Sequence, residues 1–384
     1  MDPFRFETVP AIRMGAGLGA FPDAELVEAL GPKILFVTDC DLVALGLVAP
    51  ALEALRRRAE VVVFDAVEAD PSRDTLDAAV ASGQACGATG VIGFGGGSPM
   101  DVAKLAALRL RSDDVLDDIW GVDKARGPRL PLVLVPTTAG TGSEVTPVSI
   151  ITVGRAEKRG VVSRHLLPDL AILDPDLTLG LPPAVTAATG IDAMVHAIEA
   201  YTSASANNNP VSRLLAIEAL RNLAGSIERA VTDGSDRDAR AGMLLGATLA
   251  GQAFANSPVA AVHALAYPLG GHFKIPHGLS NALVLPEVMR FTLPAATEAY
   301  AALGPVAFPD LPPGSPAERA GAFIDALAAL SARLGLPPRL RDAGVDRASL
   351  PMLAAEAMKQ TRLLVNNPRP VLEADARTIY EAAW

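Results

Sequence analysis

The sequence predicts an α/β domain with a parallel sheet, followed by an all-α domain. At 384 residues the chain exceeds what one hydrophobic core usually supports, so two domains are expected. Short apolar runs alternate with helical patterns in the first half, whereas the second half is helical in period. We place the boundary near residue 180, which gives domains at 1–180 and 181–384.

The predicted strands are four apolar runs between Lys33 and about Leu173: KILFVTD, EVVVFDAV, GVIGFGGG and PLVLVPTT. Helical patterns separate them, and strands that alternate with helices at this spacing form a parallel sheet. The stretches ILFV and LVLV are apolar throughout, as expected for strands covered on both faces. After LTLGLPP the segments become long, rich in Ala and Leu and helical, which predicts the second domain.

Composition narrows the class of partner. The formal net charge is −10 and the pI is near 5.1, which disfavours nucleic acid and anionic membrane surfaces and favours small molecules. Two cysteines, Cys40 and Cys86, do not make a disulfide framework and fit the reducing cytoplasm. The first residues lack the basic start and apolar run of a signal peptide, and no window reaches ~18 uninterrupted apolar residues. We therefore expect a cytoplasmic protein that does not span a membrane.

The stretch GVIGFGGGSPMDVAK places a glycine run between a strand and a helix. Ser98 is the predicted N-cap, with Pro99 at the first helical position. The amides of Gly96 and Gly97, together with the helix dipole, would suit a pyrophosphate. The alternative is a tight strand-to-helix turn without a ligand, since glycine serves any crowded turn.

A second polar loop, VPTTAGTGSEVTP, follows the next predicted strand. It offers the hydroxyls of Thr137, Thr138, Thr141 and Ser143 to a phosphate or a polar ring. Two small, glycine-containing loops at the ends of neighbouring strands are what a nucleotide site in an open parallel sheet requires. The alternative is a flexible connector.

Asp39 ends the run KILFVTD. A carboxylate at this position can accept hydrogen bonds from an adenosine ribose and would repel a 2′-phosphate, so it favours NAD over NADP. An ordinary turn aspartate is the alternative.

Histidines cluster in the second half, where four of the five lie between residues 196 and 277. Asp192 and His196 are four residues apart in GIDAMVHAIEAY and therefore share one helix face. His263 is expected on a helix, and Pro268, Gly270, Gly271 and Pro276 are expected to break any helix before His277, which would return on the following loop. One carboxylate and three imidazoles suit Fe(II), Zn(II) or Co(II) better than Mg(II) or Ca(II). The alternative is an exposed acid and hydrogen-bonded core histidines.

Four segments together resemble the iron-containing, group III alcohol dehydrogenases: GGGSPMDVAK, PTTAGTGSEVTP, GIDAMVHAIEAY and HALAYPLGGHFKIPHGLSNA. The resemblance spans nearly the whole chain and implies a Rossmann-like N-terminal domain, a helical C-terminal domain of the dehydroquinate synthase-like type, and a homodimer. By resemblance the metal, Fe(II) or Zn(II), is held by Asp192, His196, His263 and His277. The resemblance likewise assigns NAD binding to Asp39, Gly96, Gly97, Ser98, Thr137, Thr138 and Thr141, with Lys158 also in reach of the dinucleotide.

One position departs from the family pattern. Many relatives have a second histidine four residues after the first in the H-A-x-A-H segment, thought to relay the substrate proton, whereas this chain has Tyr267. Tyr267, His272 or solvent could carry the proton instead. Because histidine titrates near neutrality, we expect His272 to contribute more than Tyr267, unless it merely lines the cleft.

The resulting expectation is an oxidoreductase that transfers a hydride between NAD(H) and a small primary alcohol or diol, or the matching aldehyde or ketone. Maleylacetate reductase and hydroxyacid dehydrogenase activities are the nearest alternatives, followed by glycerol dehydrogenase or dehydroquinate-synthase-like enzymes. A non-catalytic nucleotide-binding module is the alternative of a different class. Phe254, Asn256 and Pro258 precede His263 and are expected to approach the substrate.

Overall fold

The computed structural model describes residues 3–21, 24–154 and 157–384. The chain divides into two compact units, one formed by Glu7–Gly180 and the other by Leu181–Trp384 together with the described residues before Glu7. In the described residues no helix is long and apolar enough to cross a membrane.

The first unit is built on parallel strands, as predicted. The strands are β1 (Ile12–Met14), β2 (Lys33–Val37), β3 (Glu60–Phe64), β4 (Gly90–Gly95), β5 (Gly121–Val122), β6 (Leu132–Pro136), β7 (Val148–Val153), β8 (Glu157–Val162) and β9 (Leu170–Leu173). Six of them form one sheet in the order β1-β9-β6-β4-β2-β3, and every neighbouring pair in it is parallel.

Helices cover both faces of this sheet. They are α1 (Ala24–Leu30), α2 (Cys40–Ala44), α3 (Ala49–Arg56), α4 (Arg73–Cys86), α5 (Gly97–Arg109) and α6 (Leu116–Ile119). Side chains of β2 alternate between two cores: Leu35 and Val37 pack with residues of α4 and α5, whereas Ile34 and Phe36 pack with residues of α1 and α3. This alternation follows from the two-residue period of a strand and explains why the run ILFV is apolar at every position.

A second, three-stranded sheet in the order β5-β8-β7 lies in the same unit. This second sheet was not predicted from the sequence. Strands β7 and β8 are antiparallel partners, with Val148 opposite Val162, so the segment after the second polar loop folds back on itself instead of continuing the series of parallel crossovers.

A buried polar network fastens α5 to this part of the unit. Lys104 is fully buried and its ammonium donates to Ser143 Oγ at 2.7 Å, Thr146 Oγ1 at 3.2 Å and the Val148 carbonyl at 2.8 Å. Asp101, 3.8 Å from the Lys104 ammonium, accepts from Ser143 Oγ at 2.7 Å and from the Ile150 amide at 2.9 Å. Burial lowers the pKa of Lys104 to about 8, although neighbouring carboxylates act to raise it.

The second unit contains no strand in residues 181–384, all of which the structure describes, so the predicted all-α character is confirmed. Its helices are α7 (Pro183–Thr202), α8 (Pro210–Thr232), α9 (Arg237–Asn256), α10 (Ala261–Phe273), α11 (His277–Ala307), α12 (Pro316–Arg333), α13 (Leu350–Ala357), α14 (Thr361–Leu364) and α15 (Glu373–Ala383).

Two local expectations were wrong. Helix α10 continues through Pro268 to Phe273, and His277 is the first residue of α11. The break falls at Lys274, which is left-handed with φ of 58°, and at Pro276, the N-cap of α11. Tyr380 on α15 holds α10 by donating to the Leu265 carbonyl at 2.6 Å. Asn366 donates to the Val259 carbonyl, just before the helix begins, at 3.1 Å.

Candidate metal centre and phosphate-binding loops

Helix α7 positions the first two candidate ligands. Asp192 and His196 are 1% and 4% exposed, and the four-residue spacing places both on one face of the helix. His196 Nε2 lies 4.0 Å from Asp192 Oδ1. The apolar character of the rest of α7 buries this pair.

The other two histidines approach the same carboxylate from α10 and α11. Nε2 of His263 and Nε2 of His277 each lie 3.7 Å from Asp192 Oδ1. One ligand atom from each of the four residues lies within 4.8 Å of the others. His277 is the most accessible member, with a side chain that is 30% exposed, so the cluster is open at that residue and closed elsewhere.

The electrostatics keep Asp192 ionised. Its burial acts to raise the carboxyl pKa, but the charges of His196, His277 and His263 and a hydrogen bond from Asn281 outweigh burial, and the pKa is lowered. Asn281 Nδ2 lies 2.6 Å from Asp192 Oδ1. An ionised carboxylate is the form that binds a metal.

The donor set fits a divalent metal. Nε2 of His263 is buried and has no hydrogen-bond partner among the described residues, which is unfavourable unless a ligand occupies that position. Behind it, Nδ1 of His263 lies 2.6 Å from the Glu199 carboxylate, the arrangement typical of a metal-binding histidine. Three imidazole nitrogens and one carboxylate oxygen suit Fe(II) or Zn(II).

Aromatic rings surround the ligands. Phe254 stacks on His196 with ring centroids 4.4 Å apart, and His196 stacks on His263 at 4.6 Å. The Tyr267 ring lies 5.8 Å from the His277 ring. Four residues separate Tyr267 from His263, so both lie on one face of α10, whereas His272 is nine residues from His263 on roughly the opposite face and is exposed.

The two polar loops of the first unit come together at the ends of β4 and β6. These strands pair in parallel, with Gly95 opposite Pro136, and the Thr137 amide donates to the Gly95 carbonyl at 2.9 Å. A Cβ on Gly97 would lie 2.9 Å from Thr141 Cγ2, so the approach of the loops requires glycine there.

Helix α5 begins at Gly97, two residues earlier than predicted, and its N-cap is Gly96 and not Ser98. Gly96 makes no side-chain cap hydrogen bond. The first-turn amides of Gly97 and Ser98 have no partner earlier in the helix. Together with the half-buried Thr138 and Thr141, they form a site suited to an anion.

The remaining predicted cofactor residues have different surroundings. Thr137 is 3% exposed and Ser143 is 5% exposed, and the Ser143 hydroxyl is engaged by Asp101 and Lys104. Lys158, on β8, lies 2.6 Å from Asp70 Oδ1. From the sequence, Asp101 was expected only as an acidic residue in the first turn of the helix and Lys104 had no role, although both lie in the motif GGGSPMDVAK.

Asp39 is the N-cap of α2, and its Oδ1 accepts from the Leu42 amide at 2.9 Å. It follows β2, the strand beside β4, and Leu42 lies 3.2 Å from where a Cβ on Gly95 would stand. Burial raises the pKa of Asp39 against the hydrogen bonds that lower it. The turn role and a cofactor role are compatible, because a carboxylate has a second oxygen.

Comparisons with known proteins follow the same division of the chain. Residues 13–175 match the model of the iron-containing alcohol dehydrogenase family, and residues 186–384 match that of its C-terminal region. The chain belongs to the iron-containing alcohol dehydrogenase family. It is therefore an oxidoreductase, and the resemblance inferred from the motifs is confirmed.

Relatives within the iron-containing alcohol dehydrogenase family match over nearly their full length. Long-chain-alcohol dehydrogenase 1 of Geobacillus thermodenitrificans (strain NG80-2) is 43% identical over 363 residues, which cover 93% of this chain and 91% of the relative. A crystal structure of 1,3-propanediol oxidoreductase matches with a TM-score of 0.95 and 34% identity, covering 100% of both chains. The sulfoacetaldehyde reductase of Bifidobacterium kashiwanohense in complex with NAD+ matches with a TM-score of 0.88 and 29% identity, covering 100% of this chain and 99% of the other.

The ligand geometry generates a direct prediction. His263→Ala should abolish most metal binding and activity while the Glu7–Gly180 unit stays folded, because losing a ligand costs more than the ~10–100-fold typical of a residue behind it. Metal content of the purified variant, with its circular dichroism spectrum, measures this. His272→Ala is the matched control and should retain metal. Full metal occupancy with normal turnover in His263→Ala would show that the ligand set is incorrect.

Proposed function

We propose that this chain is a metal-dependent alcohol dehydrogenase that transfers a hydride between NAD(H) and a small primary alcohol or diol, or the matching aldehyde or ketone. The observation that carries the proposal is the convergence of three imidazoles on the buried carboxylate of Asp192 in the helical unit. A non-catalytic nucleotide-binding module has no need for such a set. The family match supports the alcohol dehydrogenase reaction over the maleylacetate reductase and hydroxyacid dehydrogenase alternatives.

The proposed metal is Fe(II), with Zn(II) as the alternative that metal analysis separates. A divalent metal in this position supplies Lewis acidity toward a substrate oxygen. Asp192 contributes a negative charge, and the hydrogen bond that His263 Nδ1 donates to the Glu199 carboxylate orients the His263 ring. Phe254 covers the His196 ring and so limits access of water from that side, while the partly exposed His277 marks the accessible side.

The proposed dinucleotide site is the pair of loops in the Glu7–Gly180 unit. The Gly97 and Ser98 amides suit the pyrophosphate, with Thr138 and Thr141 beside them, and Asp39 is proposed to accept hydrogen bonds from the adenosine ribose. We propose that Thr137 and Ser143 stabilise the conformation of the second loop from its buried side. We propose that Lys158, which lies near Asp70, also reaches the dinucleotide. The NAD+ complex of the Bifidobacterium relative supports NAD as the cofactor.

We also propose that the protein is a cytoplasmic homodimer. The two cysteines, which do not make a disulfide framework, support the location, and the family resemblance supports the dimer. Light scattering of the purified chain measures the second point directly.

The proposed reaction predicts that metal-free protein forms no NADH from alcohols and that Fe(II) or Zn(II) restores NADH formation. A panel should include 1-alkanols of increasing length, 1,3-propanediol and a hydroxyacid, because the relatives' names cover both long alcohols and short diols. Short primary alcohols and diols are expected to give the highest kcat/KM. NADH formation at an unchanged rate without metal, or from the hydroxyacid alone, would contradict the proposal.

Asp39 generates a prediction about the cofactor. Asp39→Gly should lower the ratio of kcat/KM for NAD to that for NADP by about 10-fold or more, because it removes a charged hydrogen-bond acceptor worth roughly 1.5–3 kcal/mol and the repulsion of a 2′-phosphate. Glycine is also tolerated as an N-cap. Asp39→Asn, which keeps a capping oxygen and removes the charge, separates the two roles of the residue. An unchanged ratio in both variants would mean that Asp39 does not face the ribose.

Tyr267 and His272 are the two candidate groups for transfer of the substrate proton. Tyr267 lies beside His277 and on the same face of α10 as His263, so its position favours it as the proton-transfer group over the exposed His272. From the sequence, histidine was favoured because histidine side chains titrate near neutrality. We expect Tyr267→Phe to lower kcat for alcohol oxidation by about 10²-fold, the lower range for a general base, and His272→Ala to change it little. Wild-type kcat in both variants and in the double variant would mean that solvent takes the proton.

A further inference from the structure

Glu199 is a buried carboxylate that the ligand set does not include. It lies on α7 three residues after His196 and is 4% exposed. Both of its oxygens are used by the start of α10: one accepts from the Val262 amide at 2.7 Å, and the other lies 2.6 Å from Nδ1 of His263. The N-cap of α10, Ala260, makes no side-chain cap bond, so Glu199 supplies from another helix the acceptor that the first turn lacks.

This contact fixes the proton on the His263 ring. An ionised carboxylate only accepts hydrogen bonds, so at 2.6 Å the Nδ1 atom of His263 must carry the hydrogen. The Nε2 atom of the neutral ring is then left with its lone pair. That atom is buried without a hydrogen-bond partner among the described residues and lies on the side of Asp192 Oδ1, at 3.7 Å. Glu199 therefore holds the lone pair toward the position shared by the four ligands.

Glu199 also adds a second buried negative charge. The imidazoles nearest to Asp192 are those of His196, His263 and His277, and the imidazole that contacts Glu199 is that of His263. No lysine or arginine pairs with either carboxylate in the parts of the chain that the structure describes. With neutral imidazoles, the two carboxylates together balance one divalent cation, and burying charge without such compensation is costly.

We propose that Glu199 is a positioning residue of the metal centre, which selects the His263 tautomer that can bind the metal and completes the charge balance of the site. The inference rests on the proposed function, since it assumes that the four ligands hold a metal. Glu199 contacts the ligand His263 through Nδ1 and is not itself proposed as a metal ligand.

Glu199→Gln tests the inference with little change in shape. The glutamine amide has one accepting oxygen and a donating nitrogen, so it can satisfy the Val262 amide only if it donates to Nδ1 of His263. The ring then takes the other tautomer and places its hydrogen on Nε2, where it blocks the metal position. We expect the variant to fold, with an apo melting temperature close to that of wild type, and to bind Zn(II) about 10–100-fold more weakly.

Zn(II) affinity is measured by competition with a chromophoric chelator, and the His263 tautomer is read from imidazole nitrogen shifts in 15N-histidine-labelled apo protein. Ser257→Ala is the matched control: Ser257 is fully buried and donates from Oγ to the Ala200 carbonyl of α7 at 2.7 Å, so its loss perturbs the same neighbourhood without contact to a ligand. The control should keep wild-type affinity and tautomer.

Each outcome bears on a different statement. Wild-type Zn(II) affinity in Glu199→Gln would overturn the inference and leave the proposed function intact. A His263 ring protonated on Nε2 in the wild-type apo protein would also overturn it, and that measurement holds even if the variant does not fold. Failure of the wild-type protein to bind Zn(II) or Fe(II) at all would instead overturn the proposed function.

Discussion

The helical unit depends on the interaction between a buried carboxylate and the imidazoles around it. Asp192 is 1% exposed, and an ion removed from water in this way costs several kcal/mol unless other groups compensate. Three histidines from α7, α10 and α11 lie beside it and act to lower its pKa, and a divalent cation would compensate the charge more completely. The requirement that these helices deliver one nitrogen each to a common point constrains their ends, which explains the start of α11 at His277 and the external cap that Glu199 gives α10.

The polar face of α7 serves the same need to bring the ligand side chains to one point. Asp192, His196 and Glu199 occupy positions i, i+4 and i+7, so they form one stripe on α7, whose residues 191–200 are otherwise Ala, Val, Ile and Met. Each member contacts α10 or its histidine. In the Glu7–Gly180 unit the corresponding constraint is the close approach of backbone segments. Glycines at the end of β4 let the second loop lie against the start of α5, and the fully buried Lys104, together with Asp101, holds that loop from the opposite side.

Patterns with a local cause could be predicted from the sequence. The parallel strands, the pairing of Asp192 with His196 on α7 and the helical second unit follow from periodicities of two and 3.6 residues. The β7–β8 hairpin was missed because its strands follow a loop whose polar residues attracted a ligand interpretation. The continuation of α10 through Pro268 was missed because tertiary packing, including the bond that Tyr380 donates to the Leu265 carbonyl, outweighs the local preference of proline.

Other parts of the site depend on contacts between distant residues. Glu199 could have been noticed as a third polar residue on the α7 stripe, but its partner, Nδ1 of His263, is 64 residues away. The different positions of Tyr267 and His272 could likewise not be predicted without knowing that one helix contains both. In a single helix, spacings of four and nine residues from His263 place Tyr267 on the same face as His263 and His272 on the opposite face. Ser143 is the opposite case. Its hydroxyl was predicted from the sequence to contact a ligand, whereas in the structure it is hydrogen-bonded to Asp101 and Lys104.

The central claim is that Asp192, His196, His263 and His277 bind one divalent metal. X-ray absorption at the zinc edge of the Zn(II)-loaded protein tests it most directly, because imidazole rings give a recognisable scattering pattern beyond the first shell. The account predicts three imidazole nitrogens and at least one carboxylate oxygen at about 2.0–2.2 Å. A first shell with fewer than three imidazoles, or one that contains sulfur, would contradict it.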